Sequence, residues 1–183
     1  KPDVFWTEFV SADGLYHTRE IQKMPDDENP LMRDLVIGEG QRPIVAQIFS
    51  SKPEMITYAT KLVATQGFDG VDLNMGCPNK DVVKRGAGGA LIGNYKLAEK
   101  IITISLKAVG EKVPLSIKTR IGKENPITEE WFSFLSQFPL SEITVHGRIL
   151  NQGLSGPVNW LEIKKVAEML KEIDASYLER KLE

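Results

Sequence analysis

The hydrophobic residues of this chain fall into short runs, separated by longer stretches with helical spacing. The short runs predict five β-strands, and we interpret these strands as apolar on both faces, as in a parallel sheet covered by helices. Because strand and helix alternate, the pattern predicts parallel βαβ units and an α/β fold. The predicted strands are Val4–Val10, Ile44–Phe49, Gly70–Leu73, Val113–Lys118 and Glu142–His146.

The longer stretches predict helices with recognisable ends. One has a proline in its first turn, one begins at a capping asparagine and stops at a glycine, and one begins after a threonine. The helices are predicted over Pro53–Gln66, from Asn94 to Val109, and over Glu129–Phe138. The tail from Leu161 to Glu183 predicts a further, nearly continuous amphipathic helix.

One long polar connection, Asp13–Arg42, interrupts this alternation. It predicts one or two helical turns around Pro30–Ile37. A connection of this length is either functional or a variable surface excursion, and the sequence leaves both interpretations open.

Composition and charge indicate an ordinary globular protein. Of the 183 residues, 42% are hydrophobic and 26% are charged, which excludes a disordered or fibrous chain. No apolar run reaches the length of a membrane span, and Lys1-Pro2-Asp3 does not begin a signal peptide. A single cysteine cannot form an internal disulfide, so we expect a cytoplasmic protein. The net charge of −2 neither indicates nor excludes a nucleic-acid partner, because phosphate binding requires only a local basic face.

The strongest functional signal is the segment Asp72-Leu73-Asn74-Met75-Gly76-Cys77-Pro78. A strand ends here in a tight loop shaped by glycine and proline. Ligands of parallel α/β proteins bind at the carboxyl ends of strands, so Asn74 and Cys77 are candidate site residues. A free thiol, with a pKa of about 8.5, can donate a proton at neutral pH. The alternatives are a small buried hydrophobe for Cys77 and a loop-capping amide for Asn74.

Five more polar residues lie at or near predicted strand ends. A cation that ends an apolar run, as Lys118 does, is costly to bury without a partner, although such a side chain can also reach solvent. Arg120 points to the same side of an extended segment as Lys118. For His146 the alternative is a buried core histidine, and for Arg148 it is a surface arginine. The five residues are Gln47, Lys118, Arg120, His146 and Arg148. A lone cysteine and two widely separated histidines form no metal-ligand pattern, so no metal is predicted.

Five blocks of the chain, taken in order, resemble the tRNA-dihydrouridine synthases. The most specific is Asp72–Pro78 with the glycine-rich segment Gly86–Leu91 behind it. The resemblance extends from the start of the chain to about Trp160. The other blocks are Phe5–Ala12, Ile44–Phe49, Pro114–Gly122, and Ile143–Arg148 followed by Gln152 and Gly156.

The resemblance implies a (β/α)8 TIM barrel, of which this chain carries about five βα units. The family's first strand and last two strands have no counterpart in the sequence. Either the chain is shortened, or it joins segments around an omitted one near Lys171–Ala175, or it is a small open α/β domain. We expect residues 1–160 to form a partial TIM-barrel catalytic domain. Residues 161–183 are expected to form a helical tail, which is a remnant of a C-terminal helical tRNA-binding domain if a segment is omitted.

The resemblance also implies a reaction. The family reduces uridine to 5,6-dihydrouridine in tRNA with hydride from reduced FMN, and NADPH is the transient reductant. The cysteine at the position of Cys77 is the family's general acid, which protonates C5 of the uracil. The implied flavin contacts are Gln47, Lys118 and His146, and the implied uridine contacts are Asn74, Arg120 and Arg148.

Two other functions remain open at the level of sequence. One is a small-molecule flavin oxidoreductase of the dihydropyrimidine or dihydroorotate dehydrogenase type, which carries a related Asn…Cys-Pro loop. The other is a non-catalytic RNA-binding barrel without a flavin site. The glycine-rich segment Gly86–Leu91 favours the tRNA enzyme over the first, and bound flavin would argue against the second.

Overall fold

A computed structural model of the chain describes residues 2–111 and 113–182, with side chains described as far as residue 172. The strands pair in the order β1-β3-β4-β5-β6, with β2 also on β3, and every pairing is parallel. Successive strands are neighbours, as in part of a (β/α)8 barrel. The strands are β1 Phe5–Trp6, β2 Val10–Ser11, β3 Ile44–Phe49, β4 Gly70–Met75, β5 Leu115–Arg120 and β6 Glu142–His146.

The prediction of one continuous strand over Val4–Val10 is wrong. Trp6 aligns with Val45, and Val10 aligns with Ile48. The segment that joins β1 to β2 therefore contains one more residue than the stretch of β3 beside it. An extra residue of this kind is a β-bulge, which interrupts the backbone ladder. The side chain of Thr7 repairs the interruption, because its Oγ1 accepts a hydrogen bond of 3.1 Å from the backbone N–H of Gln47.

The helices follow the predicted pattern, with differences at their ends. The helix over Pro53 ends at Thr65, the helix after Asn94 spans the predicted range, and the third helix ends at Leu135 rather than Phe138. The long polar connection is more helical than predicted, because it begins with α1 and a π-helical turn. Within the described residues, no helix combines the length and hydrophobicity of a membrane span. The helices are α1 Ala12–Tyr16, α2 Pro30–Arg33, α3 Pro53–Thr65, α4 Lys80–Lys84, α5 Tyr95–Val109, α6 Thr128–Leu135 and α7 Trp160–Leu182.

The two faces of the sheet have opposite character. Alternate residues such as Leu73 and Ile117 are buried in the core against helices α3 and α5. The register places the intervening residues, among them Asp72, Ser116 and Lys118, together on the other face. The prediction of two apolar faces is therefore wrong, since the face away from the helices is polar. This polar face corresponds to the interior of a barrel and leads to the candidate site.

Helices α6 and α7 complete the helical layer. Trp131 of α6 is fully buried, and its Nε1–H donates to the hydroxyl of Thr119 on β5 at 3.0 Å. The first turns of helix α7 pack on α6 through the buried Val166 and an ion pair of 2.7 Å between Lys165 and Glu129. The tail side chains from residue 173 onward lie outside the described residues, and the domain boundary at residue 160 stays a prediction.

Candidate active site

A cavity of about 340 Å³ opens at the carboxyl ends of β3, β4, β5 and β6. It brings together six of the seven residues that the sequence predicts for the site. Arg148 does not line the cavity, but it contacts one residue that does. The six predicted residues that line it are Gln47, Asn74, Cys77, Lys118, Arg120 and His146.

The loop that carries Cys77 is fastened at several points. Asn74 Oδ1 accepts hydrogen bonds from the backbone N–H groups of Gly76 and Cys77, at 3.1 and 2.9 Å. The carbonyl of Cys77 accepts from the N–H of Gly89 at 3.0 Å. Asn74 therefore caps the loop, which was the alternative interpretation of this residue, and its contact with a uridine stays a prediction. Only 8% of the Cys77 surface is exposed, and it faces the cavity.

Arg120 holds two loops together. Its Nε–H donates to the carbonyl of Gly76 at 2.6 Å, and its Nη1 donates to the carbonyl of Gly153 at 2.7 Å. The residue is 2% exposed, and this burial lowers the pKa of the guanidinium. Two of its nitrogen atoms thus support the walls of the cavity. The contact with a uridine stays a prediction and would involve the part of the side chain that these bonds do not use.

His146 is held in its neutral form. Arg148 Nη1 lies 3.1 Å from His146 Nε2. A guanidinium can only donate, so Nε2 must accept and the ring proton must lie on Nδ1. Burial, followed by the positive charges of Arg120, Lys118 and Arg148, lowers the pKa of His146 to about 4. At neutral pH the ring is therefore an uncharged donor at Nδ1.

Asp72 is the site residue that the sequence analysis did not identify. It is completely buried, and it accepts hydrogen bonds from Ser116 Oγ at 2.6 Å and from Gln47 Nε2 at 2.7 Å. Burial raises the pKa of Asp72 to about 6, although both hydrogen bonds and the charge of Lys118 oppose the shift. The available signal was a carboxylate in the middle of an apolar strand, which is costly without partners.

Replacement of Asp72 by asparagine is expected to change how stability depends on pH. Because the folded pKa of about 6 exceeds the ordinary 3.8, the folded protein retains a proton between these values that the unfolded chain has lost. The contribution of Asp72 to the free energy of unfolding is therefore highest below pH 4 and falls as the pH rises through 6. Asp72→Asn removes this loss, so its stability relative to the parent should improve by about 2–3 kcal/mol between pH 4 and 7.

Urea unfolding of both proteins at several pH values measures this difference. Groups that titrate alike in the two proteins, His146 among them, cancel in the comparison. A difference in the free energy of unfolding that stays constant across this range would contradict the raised pKa of Asp72.

Gly88 allows the backbone to pass close to Cys77. Its φ of +57° is a conformation that favours glycine. An added Cβ would lie 3.0 Å from both Cβ and the carbonyl oxygen of Cys77, and 2.9 Å from Cγ1 of Val82. Gly88→Ala is therefore expected to displace the thiol and to lower turnover about 10-fold or more. Gly110→Ala is the matched control, because Gly110 has a φ of +67° but no atom within 4 Å of the added Cβ.

Both alanine variants should lose about 1 kcal/mol of stability from backbone strain. Steady-state kinetics and thermal unfolding of the two variants separate strain from displacement. Equal turnover in the two variants would show that contact with Cys77 is unimportant.

Fold and cavity together define a parallel α/β protein of the barrel type, with its candidate active site at the carboxyl ends of the strands. The family model described as dihydrouridine synthase (Dus) matches residues 2–174. The chain belongs to this dihydrouridine synthase family.

Curated relatives agree with this assignment. The chain is 32% identical, over 94% of its length, to proteins named probable tRNA-dihydrouridine synthase from Staphylococcus aureus (strain COL) and Staphylococcus epidermidis (strain ATCC 35984), and covers 50% of each. It is 31% identical over 91% of its length to probable tRNA-dihydrouridine synthase 1 from Synechocystis, of which it covers 44%. The chain thus spans about half the length of the curated relatives it matches.

Proposed function

We propose that this protein is a tRNA-dihydrouridine synthase that reduces a uridine of tRNA to 5,6-dihydrouridine. The observation that supports the proposal most strongly is the shared cavity of Cys77 and Lys118, which places an acid and a cation at the same carboxyl end of the sheet. The family assignment makes an oxidoreductase acting on tRNA the reaction that best fits such a pair.

The residues around the cavity suit the ring system of FMN. The pyrimidine edge of a flavin is rich in carbonyl and nitrogen acceptors, and the cavity offers the Lys118 ammonium together with the amide group of Gln47. The amide of Asn74 is kept for the uridine. When bound, reduced FMN supplies the hydride that C6 of the uracil receives, and NADPH renews the reduced cofactor. Lys118 would balance negative charge on the reduced ring, and neutral His146 would donate from Nδ1.

Cys77 would supply the proton in this reaction. Hydride addition at C6 leaves an electron pair at C5, and the thiol donates its proton there to complete the C–H bond. The thiolate that remains recovers a proton from solvent. The contacts of Asn74 and Arg120 hold the backbone of the loop at Cys77 and Gly76, and general acid catalysis requires such a positioned donor.

The rim of the cavity is suited to an extruded base. A uridine in folded RNA must leave its stack to reach Cys77, and unpaired loop nucleotides do so at the lowest cost. Phe9 and Leu154 line the cavity with 41% and 78% of their surfaces exposed. They offer apolar contact to the base, while Arg120 and Arg148 are the proposed polar contacts of its nucleotide.

The test is the dihydrouridine content of tRNA. Deletion of the gene should abolish dihydrouridine at one or more tRNA positions, as measured by nucleoside mass spectrometry, and the intact gene should restore it. Purified protein should carry FMN and reduce the same tRNA with NADPH. Unchanged tRNA with altered use of free pyrimidines would instead support the small-molecule oxidoreductase, and tRNA binding without flavin would support the non-catalytic barrel.

A further inference from the structure

A continuous chain of hydrogen bonds runs beneath the cavity. It begins at Ser116 on β5, passes through Asp72 to Gln47 on β3, returns to Asn74 on β4, and ends at the backbone N–H of Cys77. The successive donor–acceptor distances are 2.6, 2.7, 2.9 and 2.9 Å. Asp72 is completely buried, whereas Gln47 and Asn74 are each 7% exposed and line the cavity.

The two ends of this chain determine the orientation of both amides. At one end, the backbone N–H groups of Gly76 and Cys77 can only donate, so Asn74 must present Oδ1 to them and Nδ2 to Gln47. At the other end, an ionised carboxylate can only accept, so Gln47 must present Nε2 to Asp72 and Oε1 to Asn74. The two requirements agree, and reversing either amide would bring donor against donor.

The orientation decides what the cavity offers to a ligand. Each amide nitrogen has two hydrogen atoms and uses one of them within the chain. Oδ1 of Asn74 already accepts two hydrogen bonds, and Oε1 of Gln47 accepts one. The hydrogen-bonding capacity that remains at this wall of the cavity is therefore dominated by two N–H donors.

We propose that Asp72 is a positioning residue, which fixes the amide of Gln47 so that its Nε2 donates a hydrogen bond to the acceptor edge of the flavin, while Asn74, linked to Gln47, donates to the uridine. The inference rests on the proposed function, because it takes FMN as the ligand of the cavity. Asp72 itself does not line the cavity and acts through Gln47. Without the carboxylate of Asp72, Gln47 loses the acceptor that fixes its amide. The flavin ring then faces an amide that can present either its oxygen or its nitrogen.

Two substitutions at residue 72 separate orientation from charge. Asp72→Leu removes the acceptor and leaves Gln47 free to rotate. Asp72→Asn keeps an oxygen for Gln47 and turns its own amide nitrogen toward Ser116, whose hydroxyl can accept as well as donate. Ser116→Ala is the matched control, because it removes a partner of Asp72 on the side away from Gln47. Since this loss raises the pKa of Asp72 further, the proteins are compared at about pH 8.5, where the carboxylate stays ionised.

The measurements are the dissociation constant of FMN, from titration of the apoprotein of the full-length enzyme, and the visible absorbance of the bound flavin. We expect Asp72→Leu to weaken FMN about 10-fold or more and to shift the flavin bands. Asp72→Asn and Ser116→Ala should stay within about 3-fold of the parent and keep its spectrum. An effect of Asp72→Asn as large as that of Asp72→Leu, or wild-type behaviour of Asp72→Leu, would overturn the proposal.

Two further outcomes are informative. If the leucine variant does not fold, neutron diffraction from crystals of the parent flavoprotein shows the deuterons of the Gln47 amide directly, and an oxygen facing Asp72 would refute the assignment. If the parent protein binds no FMN, the proposed function itself fails. If the parent binds FMN and substitution of Asp72 does not change FMN binding, only the present inference fails.

Discussion

Cys77→Ala is expected to lower the turnover of tRNA by about 10²–10⁴-fold, because general acid catalysis typically contributes a factor of this size. The thiol faces the cavity with 8% of its surface exposed, and its loop is held by Asn74 and Gly89. Those contacts use the backbone of residue 77, so an alanine preserves them. FMN content and thermal stability should therefore change little, and reoxidation of reduced flavin by tRNA in a single turnover measures the chemical step.

Cys77→Ser is the control that separates proton donation from packing. Serine nearly matches the cysteine in size, but its hydroxyl is a far weaker acid than a thiol. If the thiol is the acid, serine should be almost as slow as alanine. Turnover within about twofold of the parent in either variant would remove Cys77 from the proposed mechanism.

Lys118→Met is expected to lower turnover about 10²-fold, the effect typical of losing one preorganised electrostatic contact. Lys118 is half-buried in β5 and lines the cavity beside Asn74, its partner in the strand register. A cation there would favour the reduced, more negative form of the proposed flavin. Its removal should therefore lower the two-electron potential, by about 30 mV for each tenfold loss of relative affinity for the reduced form.

Lys61→Met provides the matched control for Lys118→Met. Lys61 is an exposed lysine of helix α3 outside the cavity, so the same change of side chain should leave the flavin potential and turnover unaltered. Redox titration against dyes of known potential measures both variants. A potential of Lys118→Met equal to that of the parent would show that the ammonium does not act on the flavin.

The place of the candidate site could be predicted, although the limits of two strands were wrong. Strands β4 and β5 each continue two residues past their predicted ends at Leu73 and Lys118. Strand β3 has the predicted limits, and β4 and β6 deliver Asn74 and His146 to the same cavity as Lys118, as their places at strand ends indicated. Parallel strands in sequential order make this convergence a consequence of topology. The cavity could therefore be anticipated without knowing any contact.

The details that depend on register could not be predicted. The bulge at Thr7 arises from an alignment with β3 that the local sequence does not reveal. The polar face of the sheet follows from the same kind of information, because only the pairing shows that Asp72 lies beside Gln47 and Ser116. Asp72 was consequently not among the predicted site residues, although it begins the most specific segment of the sequence.

Trp131 gives this protein an intrinsic fluorescence signal from its interior. Its indole is wholly enclosed and bonded to Thr119, whereas Trp6 and Trp160 are 39% and 73% exposed. A water-soluble quencher should suppress the fluorescence of Trp6 and Trp160 and leave the blue-shifted emission of Trp131. Since Thr119 also donates to the carbonyl of Met75, next to the cysteine loop, that residual fluorescence reports on the strand ends from behind the sheet.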